Sequence, residues 1–464
     1  MRMDLRILLA ALVLLPVVGL HGHAQAQQDN EPVLRRYSDE LLKQDGVWRS
    51  RGYGWWWVIK DGRVTTYDAG DGYCARRWQR WGLPGHAGSR MLMSANGRTI
   101  RLTLGDRTYL HTFDRVASLP AACRVGPDNG PRANFDAMAA IMSEHYAFFE
   151  HRGVNWSKHL QARRNRINDD LTDYELFWEL AALIKPIDDG HVGLEARVAG
   201  RRRQYDPPRK PRKLSSDARQ RSRRIGYWTR DIGPELVGEN IESIGDGRVK
   251  YGLIGNDVAY LYVSSTGRSL RRALNGQLDE ARERFRGARA LIIDLSKNFG
   301  GSDYIGRRLA SKFTKKRTLA YYKYAGDDPR AKPQPVYIEP SEKRLFDGPI
   351  YVITSASTIS AAEILVMSLR ALPNVTHIGL ATRGSLSDIL SKRLPNGWVL
   401  NLSNEVYLDH EKTAWEGTGI KPHIEIAVKR RKSDAERDAA AAGRILDYVL
   451  QLPVRKRAYA KPRS

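Results

Sequence analysis

The sequence predicts an α/β core preceded by a helical lead-in and a small N-terminal all-β domain. Three observations carry that expectation. Short alternating apolar runs fill the chain before Cys123, apolar residues recur at helical spacing from Phe135, and strands alternate with helices from Val258 onward.

The elements follow in order. Residues 1–26 have a basic start (Arg2, Arg6), an apolar run from Ile7 to Leu20, and Ala24-Gln25-Ala26. This reads as a signal peptide cleaved so that the mature chain begins near Gln27, because the apolar run is too short for a stable membrane span. Residues 27–125 hold the β domain, with runs such as Trp55–Ile59, Arg63–Tyr67, Thr99–Leu104 and Thr108–Phe113 separated by Asp61-Gly62, Asn96-Gly97 and Gly105-Asp106. A barrel or sandwich is expected. Its tryptophans fit either a binding platform or the packing of a small domain.

After the Gly126–Pro131 linker comes the lead-in, residues 132–196, with helices expected over Phe135–Phe149 and Tyr174–Leu183. Residues 197–224 are crowded with Arg and Lys and interrupted by Pro207, Pro208 and Pro211, so a solvated, flexible segment is expected. The core, 225–430, contains strands at Val258–Val263 and Ala290–Asp294, a helix over Leu270–Phe285, further helices at Tyr304–Phe313 and Ala361–Leu372, and a strand near Val375–Gly379. Residues 431–464 read as a closing amphipathic helix, Ala439–Leu452, and a basic tail.

The formal net charge is +24, much of it in the two basic segments. Solvation explains such runs, and attraction to an anionic membrane surface is the second reading. A nucleic-acid partner is not expected, since an exported chain rarely meets one and no RNA-binding motif occurs. Cys74 and Cys123 are the only cysteines. An exported chain with one pair is expected to bridge them. Two cysteines without clustered histidines offer too few ligands for a metal site, and no cofactor is expected.

Four segments carry candidate chemistry. Ser360, in Thr358-Ile359-Ser360-Ala361-Ala362-Glu363, follows the apolar run Pro349–Ile353 at a strand-to-helix junction. A serine there is either a helix cap or a nucleophile beside free backbone N–H donors. His191 ends Asp189-Gly190-His191, Glu416 stands in Trp415-Glu416-Gly417-Thr418-Gly419-Ile420-Lys421-Pro422, and Asp294-Leu295-Ser296-Lys297-Asn298-Phe299 runs into the paired Gly300 and Gly301. Together, from about Phe135 to about Ile426, these segments resemble the S41 serine peptidases, the family of the C-terminal processing proteases and the tricorn protease core. The order of the motifs is the same.

That resemblance implies a ClpP/crotonase-like core and a peptide or protein substrate. It further implies Ser360 as nucleophile, His191 as base, Glu416 as the orienting carboxylate, and N–H groups of Gly300 or Gly301 and of Ala361 as the oxyanion hole. Glu363 is expected to anchor its own helix. The chain departs from the family at several points. The interval between His191 and Val258 is too short for a normal PDZ domain. The position 25 residues after Ser360, a lysine in the C-terminal processing branch, is Ser385, and neighbouring Arg383 cannot act as a base. Gly190 stands where the tricorn branch has serine, and His423 where Asp is usual. Glu411 and Asp409 lie near Glu416 in sequence. An inactive relative that binds peptides or hydrophobic ligands is the alternative.

Overall fold

The computed structural model describes residues 41–77, 91–104, 109–124, 128–208 and 241–425, apart from 245, 256, 327 and 329. The expected signal peptide, residues 209–224 of the basic segment, and the closing helix and tail lie outside them.

Seven strands make the first sheet: β1 (Gly46–Ser50), β2 (Trp55–Lys60), β3 (Arg63–Gly70), β4 (Tyr73–Arg76), β5 (Met91–Met93), β6 (Thr99–Thr103) and β7 (Leu110–Val116). They pair antiparallel in the order β4-β3-β2-β1-β7-β6-β5. A barrel would pair β4 with β5, but among the described residues they form opposite edges of one open sheet. Alternation explains its core: Trp48, Trp57, Ile59, Ile100, Leu102 and Phe113 are buried together, and Trp57 stacks on Phe113 at 4.0 Å. Trp56 is also buried and donates its indole N–H to the Ala69 carbonyl. These rings serve packing. A Cys74–Cys123 disulfide ties β4 to the chain ahead of the lead-in.

The lead-in begins with α1 (Pro131–His145), whose first residue is proline, a position that needs no N–H partner. Its stripe of Phe135, Met138, Ile141 and Met142 is buried. The helix stops at His145, short of the expected Phe149, because Tyr146 turns to an extended backbone. Residues 146–152 then run as a strap toward the core. A helix absent from the sequence reading, α2 (Trp156–Arg164), is capped by Asn155, whose side chain accepts the Lys158 N–H. In α3 (Asp173–Ile184) Thr172 and Glu175 form a reciprocal capping box. The hairpin β8 (Gly193–Val198) and β9 (Arg201–Tyr205) follows. The start of the basic segment is therefore an edge strand, with Arg202 paired to Glu195 at 2.8 Å and Arg203 over the Tyr174 ring. Exposed guanidinium groups leave the backbone free to pair.

The core sheet orders β10 (Glu242–Ile244), β11 (Val249–Ile254), β12 (Val258–Val263), β13 (Ala290–Asp294), β16 (Ile350–Thr354), β17 (Val375–Gly379) and β21 (Ile424–Glu425), as β10-β11-β12-β13-β16-β17-β21. It is parallel from β12 to β21. Strands β13 and β16 are buried along their whole length, which is why they read as continuous apolar runs. The single helix expected over Leu270–Phe285 is broken into α4 (Arg268–Arg272) and α5 (Leu278–Arg284) by an irregular turn with Gly276 at φ +142°. Helices α6 (Asp303–Ala310) and α7 (Ala361–Arg370) pack beside one another.

Two smaller sheets complete the molecule. One orders β14 (Thr318–Ala325), β15 (Gln334–Ile338) and β20 (Glu405–Asp409) as β15-β14-β20. The other joins β18 (Ile389–Arg393) and β19 (Val399–Ser403) to the lead-in hairpin as β18-β19-β8-β9. Lead-in and core thus share a sheet.

Buried charge fastens the first sheet to the core. Lys392, fully buried, donates to the Tyr53 carbonyl and pairs with the equally buried Asp68 at 3.2 Å. Tyr53 donates its hydroxyl to Glu405 at 2.7 Å. Removing one partner of a buried pair strands the other charge. Lys392→Met is expected to cost about 3–5 kcal/mol, and Lys392→Met with Asp68→Leu markedly less. Urea midpoints of the two variants check this, and equal losses would contradict it.

Candidate active site

The carboxyl ends of parallel strands are where open α/β sheets present groups to a ligand, and the loops after β13, β16 and β17 meet there. Asp294, the last residue of β13, is fully buried and accepts the Ser296 N–H and hydroxyl at 3.0 and 2.8 Å and the Tyr260 hydroxyl at 2.9 Å. Burial pushes its carboxyl up to about 6, against those bonds. The loop so begun is laced to the next one. Ser355 donates its hydroxyl to the Ser296 carbonyl, Thr358 donates its own to the Leu295 carbonyl at 2.8 Å, and the Ile359 N–H donates to the Asn298 carbonyl at 3.1 Å.

Ser360 ends the second loop at the cap position of α7, with φ 63° and ψ −135°. A non-glycine residue held there costs about 1–3 kcal/mol. No G-x-S-x-G sequence announces this sharp turn, because its room comes from elsewhere in the chain. Gly300, at φ +86°, packs so closely that a methyl group on it would lie 2.8 Å from Ser360 Cβ and 2.9 Å from the Ile359 carbonyl. The second glycine, Gly301, lies against the backbone of Thr266 and Gly267. Asn298 donates its side-chain amide to the Val263 carbonyl and accepts the Gly300 N–H at 2.9 Å. Of the three N–H groups expected to hold an oxyanion, that of Gly300 is therefore committed. Those of Gly301 and Ala361 make no hydrogen bond among the described residues.

Glu363 does what its position at the start of α7 suggested, and more. It is fully buried and accepts the Ser360 N–H at 3.1 Å, the Thr382 hydroxyl at 2.5 Å, and the Gly384 and Ser385 N–H groups at 2.6 and 2.9 Å. The loop after β17 is thereby bound to the loop that carries Ser360. Ser385, where a lysine base would stand, also accepts the Ser360 N–H through its carbonyl at 3.0 Å.

His191 is buried, and its backbone N–H donates to Asp189 Oδ1 at 2.9 Å. Asp189 Oδ2 accepts the Tyr146 hydroxyl at 3.0 Å. Glu416, also buried, accepts the Leu386 and Ser387 N–H groups on Oε2 at 2.8 and 3.0 Å and the Arg152 guanidinium on Oε1 at 2.5 Å. Burial and the Asp189 carboxylate push the Glu416 carboxyl up, while the Arg152 guanidinium pulls it back toward the ionised form. The His191 and Glu416 segments both dock on residues 383–387, the stretch that also contacts Ser360. Among the described residues, however, no hydrogen bond joins Ser360 Oγ to the His191 ring, and none joins that ring to Glu416. Of the nearby carboxylates, Asp409 is spent on the Trp415 indole and the Glu411 and Thr413 N–H groups, and Glu411 is exposed.

The sequence reading missed Arg152, His151 and Tyr146, which lie on the strap after α1. No motif marks them. His423, in place of the family's Asp, accepts the His377 N–H on Nδ1 at 3.1 Å, so the substitution keeps an acceptor there.

Residues 257–426 match the model of peptidase family S41. Ser360, both glycines and Glu416 fall inside that stretch; His191 precedes it. Among solved structures, an inferred peptidase from Parabacteroides merdae is 28% identical, with a TM-score of 0.56 over 69% of this chain and 98% of its own. Mature CPAF is 12% identical, covering 69% of this chain and 96% of its own at a TM-score of 0.48. The photosystem II D1 C-terminal processing protease is 12% identical over 68% and 98%, at 0.42. No curated protein sequence matches the chain.

Gly300→Ala is expected to displace Ser360 and slow its reaction with a fluorophosphonate by about a hundredfold, with circular dichroism unchanged. Wild-type labelling would refute the packing argument. For Asp294, a carboxyl raised to about 6 adds stability below its ordinary range, and that gain is lost as pH rises through 6. Asp294→Asn does not titrate, so its deficit in urea midpoint is expected to shrink between pH 4.5 and 7.5. A constant deficit would count against the shift.

Proposed function

We propose that this chain is an exported serine peptidase that cleaves peptide bonds through Ser360, His191 and Glu416. One observation carries the reading: Ser360 is held in a strained turn at the carboxyl edge of a parallel sheet, with Gly300 packed against it, inside the stretch that matches the S41 model.

In this reading His191 removes the Ser360 hydroxyl proton as the oxygen attacks the substrate carbonyl. The Gly301 and Ala361 N–H groups hold the oxyanion, a contribution of roughly 3 kcal/mol per donor in enzymes of this kind. Collapse breaks the C–N bond, and the proton passes from His191 to the leaving amine. Water then adds to the acyl-enzyme with His191 again as base, releasing the carboxylic acid and restoring Ser360. Glu416 offsets the charge of the imidazolium. Serine and histidine need not be bonded in the resting enzyme, since catalytic hydrogen bonds commonly tighten only on substrate binding. The Cys74–Cys123 bridge and the leader-like first 26 residues support export.

The test is labelling of the purified protein with a fluorophosphonate, with peptide mapping of the adduct. Wild type is expected to label on Ser360, whereas Ser360→Ala and His191→Ala are not, and a mixed peptide library is cleaved by wild type alone. A folded wild type that neither labels nor cleaves would leave the inactive binding protein as the better account.

A further inference from the structure

We infer that Arg152 is the positioning residue through which Glu416 acts on His191, an inference that rests on the peptidase reading above. The strap 146–152 brings three side chains to the two motif segments. Tyr146 donates to Asp189, His151 Nε2 meets the Glu416 carbonyl at 2.5 Å, and Arg152 Nη2 donates to Glu416 Oε1 at 2.5 Å and to the Gly384 carbonyl at 3.4 Å. The same nitrogen lies 3.6 Å from Asp189 Oδ2. Asp189 in turn fixes the His191 N–H through Oδ1. A continuous line therefore runs from Glu416 through Arg152 and Asp189 to the backbone of His191.

The charge arithmetic points the same way. Asp189 and Glu416 are both buried, and the Asp189 carboxylate disfavours ionisation of Glu416. Arg152, with a side chain only 9% exposed, is the cation between them. Around this group stand buried Glu363 on α7, Tyr146 and His151 on the strap, and Asp188 paired with Arg383 at 3.7 Å. Without the guanidinium, the Glu416 and Asp189 segments would each present a carboxylate to the other. The planar donor fork also meets acceptors in different directions, which an ammonium does only in part.

The test compares Arg152→Gln and Arg152→Lys with wild type, using the exposed Arg132→Gln as a control. Arg152→Gln is expected to lower the second-order rate of fluorophosphonate labelling at least tenfold and to move the acid limb of its pH profile upward. Arg152→Lys keeps the charge and is expected to recover part of the rate, with a limb near that of wild type. A second readout needs no reactivity: the pH titration of the His191 ring, followed by NMR and assigned with His191→Gln. Loss of the Arg152 cation is expected to raise its midpoint by about half a unit or more, and Lys to restore it. A wild type that fails to label refutes the peptidase reading, while the ring titration still decides the role of Arg152. A folded Arg152→Gln with an unchanged limb and an unchanged His191 titration overturns the inference.

Discussion

A single carboxylate, that of Glu363, holds the three-loop edge of the sheet in register. It has no contact with water, and in its place it receives four donors from two separate loops, one of them the N–H of Ser360 itself. A buried carboxylate is costly unless its lone pairs are filled. That cost makes the arrangement all-or-none, because loss of any donor leaves a charged acceptor short of a partner. The geometry of Ser360, the course of residues 382–385 and, through Ser385 and its neighbours, the seat of Glu416 all follow from that requirement.

Around this hub the molecule places strain and charge where neighbouring structure over-determines them. Ser360 occupies an unfavourable backbone region, and the two loops laced by Ser355, Thr358 and Asn298 give it no alternative. Asn298 is a further example of double duty. Its side chain both anchors to β12 and takes up the N–H of Gly300, so the glycine that makes room for Ser360 is not the one with a free donor.

What was legible in the sequence was the scaffold of the site. β13 and β16 are buried on both faces and announce themselves as apolar runs, and Ser360, Gly300 and Gly301 sit where those runs end. The helical stripe of α1 was equally plain from Phe135 to Met142. Less legible were elements whose existence depends on distant partners. β9 is a strand only because β8 lies beside it, and its arginines read as a solvated run. Gly276 breaks a helix whose apolar spacing continues across it. Arg152 left no trace, because a lone arginine after a helix acquires meaning only when Asp189 and Glu416, far along the chain, close around it. Periodicity records local burial, and such long-range charge pairing has no period.

The contact between Lys392 and Asp68 spans 324 residues, and that between Tyr53 and Glu405 spans 352. Structure that closes over such separations forms late, since the entropy of closing the long loop must be met before the contact gives anything back. The first sheet pairs and packs within residues 41–116, but its buried anchors to the core wait for residues 392 and 405. Buried Asp68 and Tyr53 must wait, exposed, for partners at the far end. Such a molecule is poorly suited to folding piecewise as it is synthesised. Its buried pairs close only once residues 68 and 392, and 53 and 405, are all present.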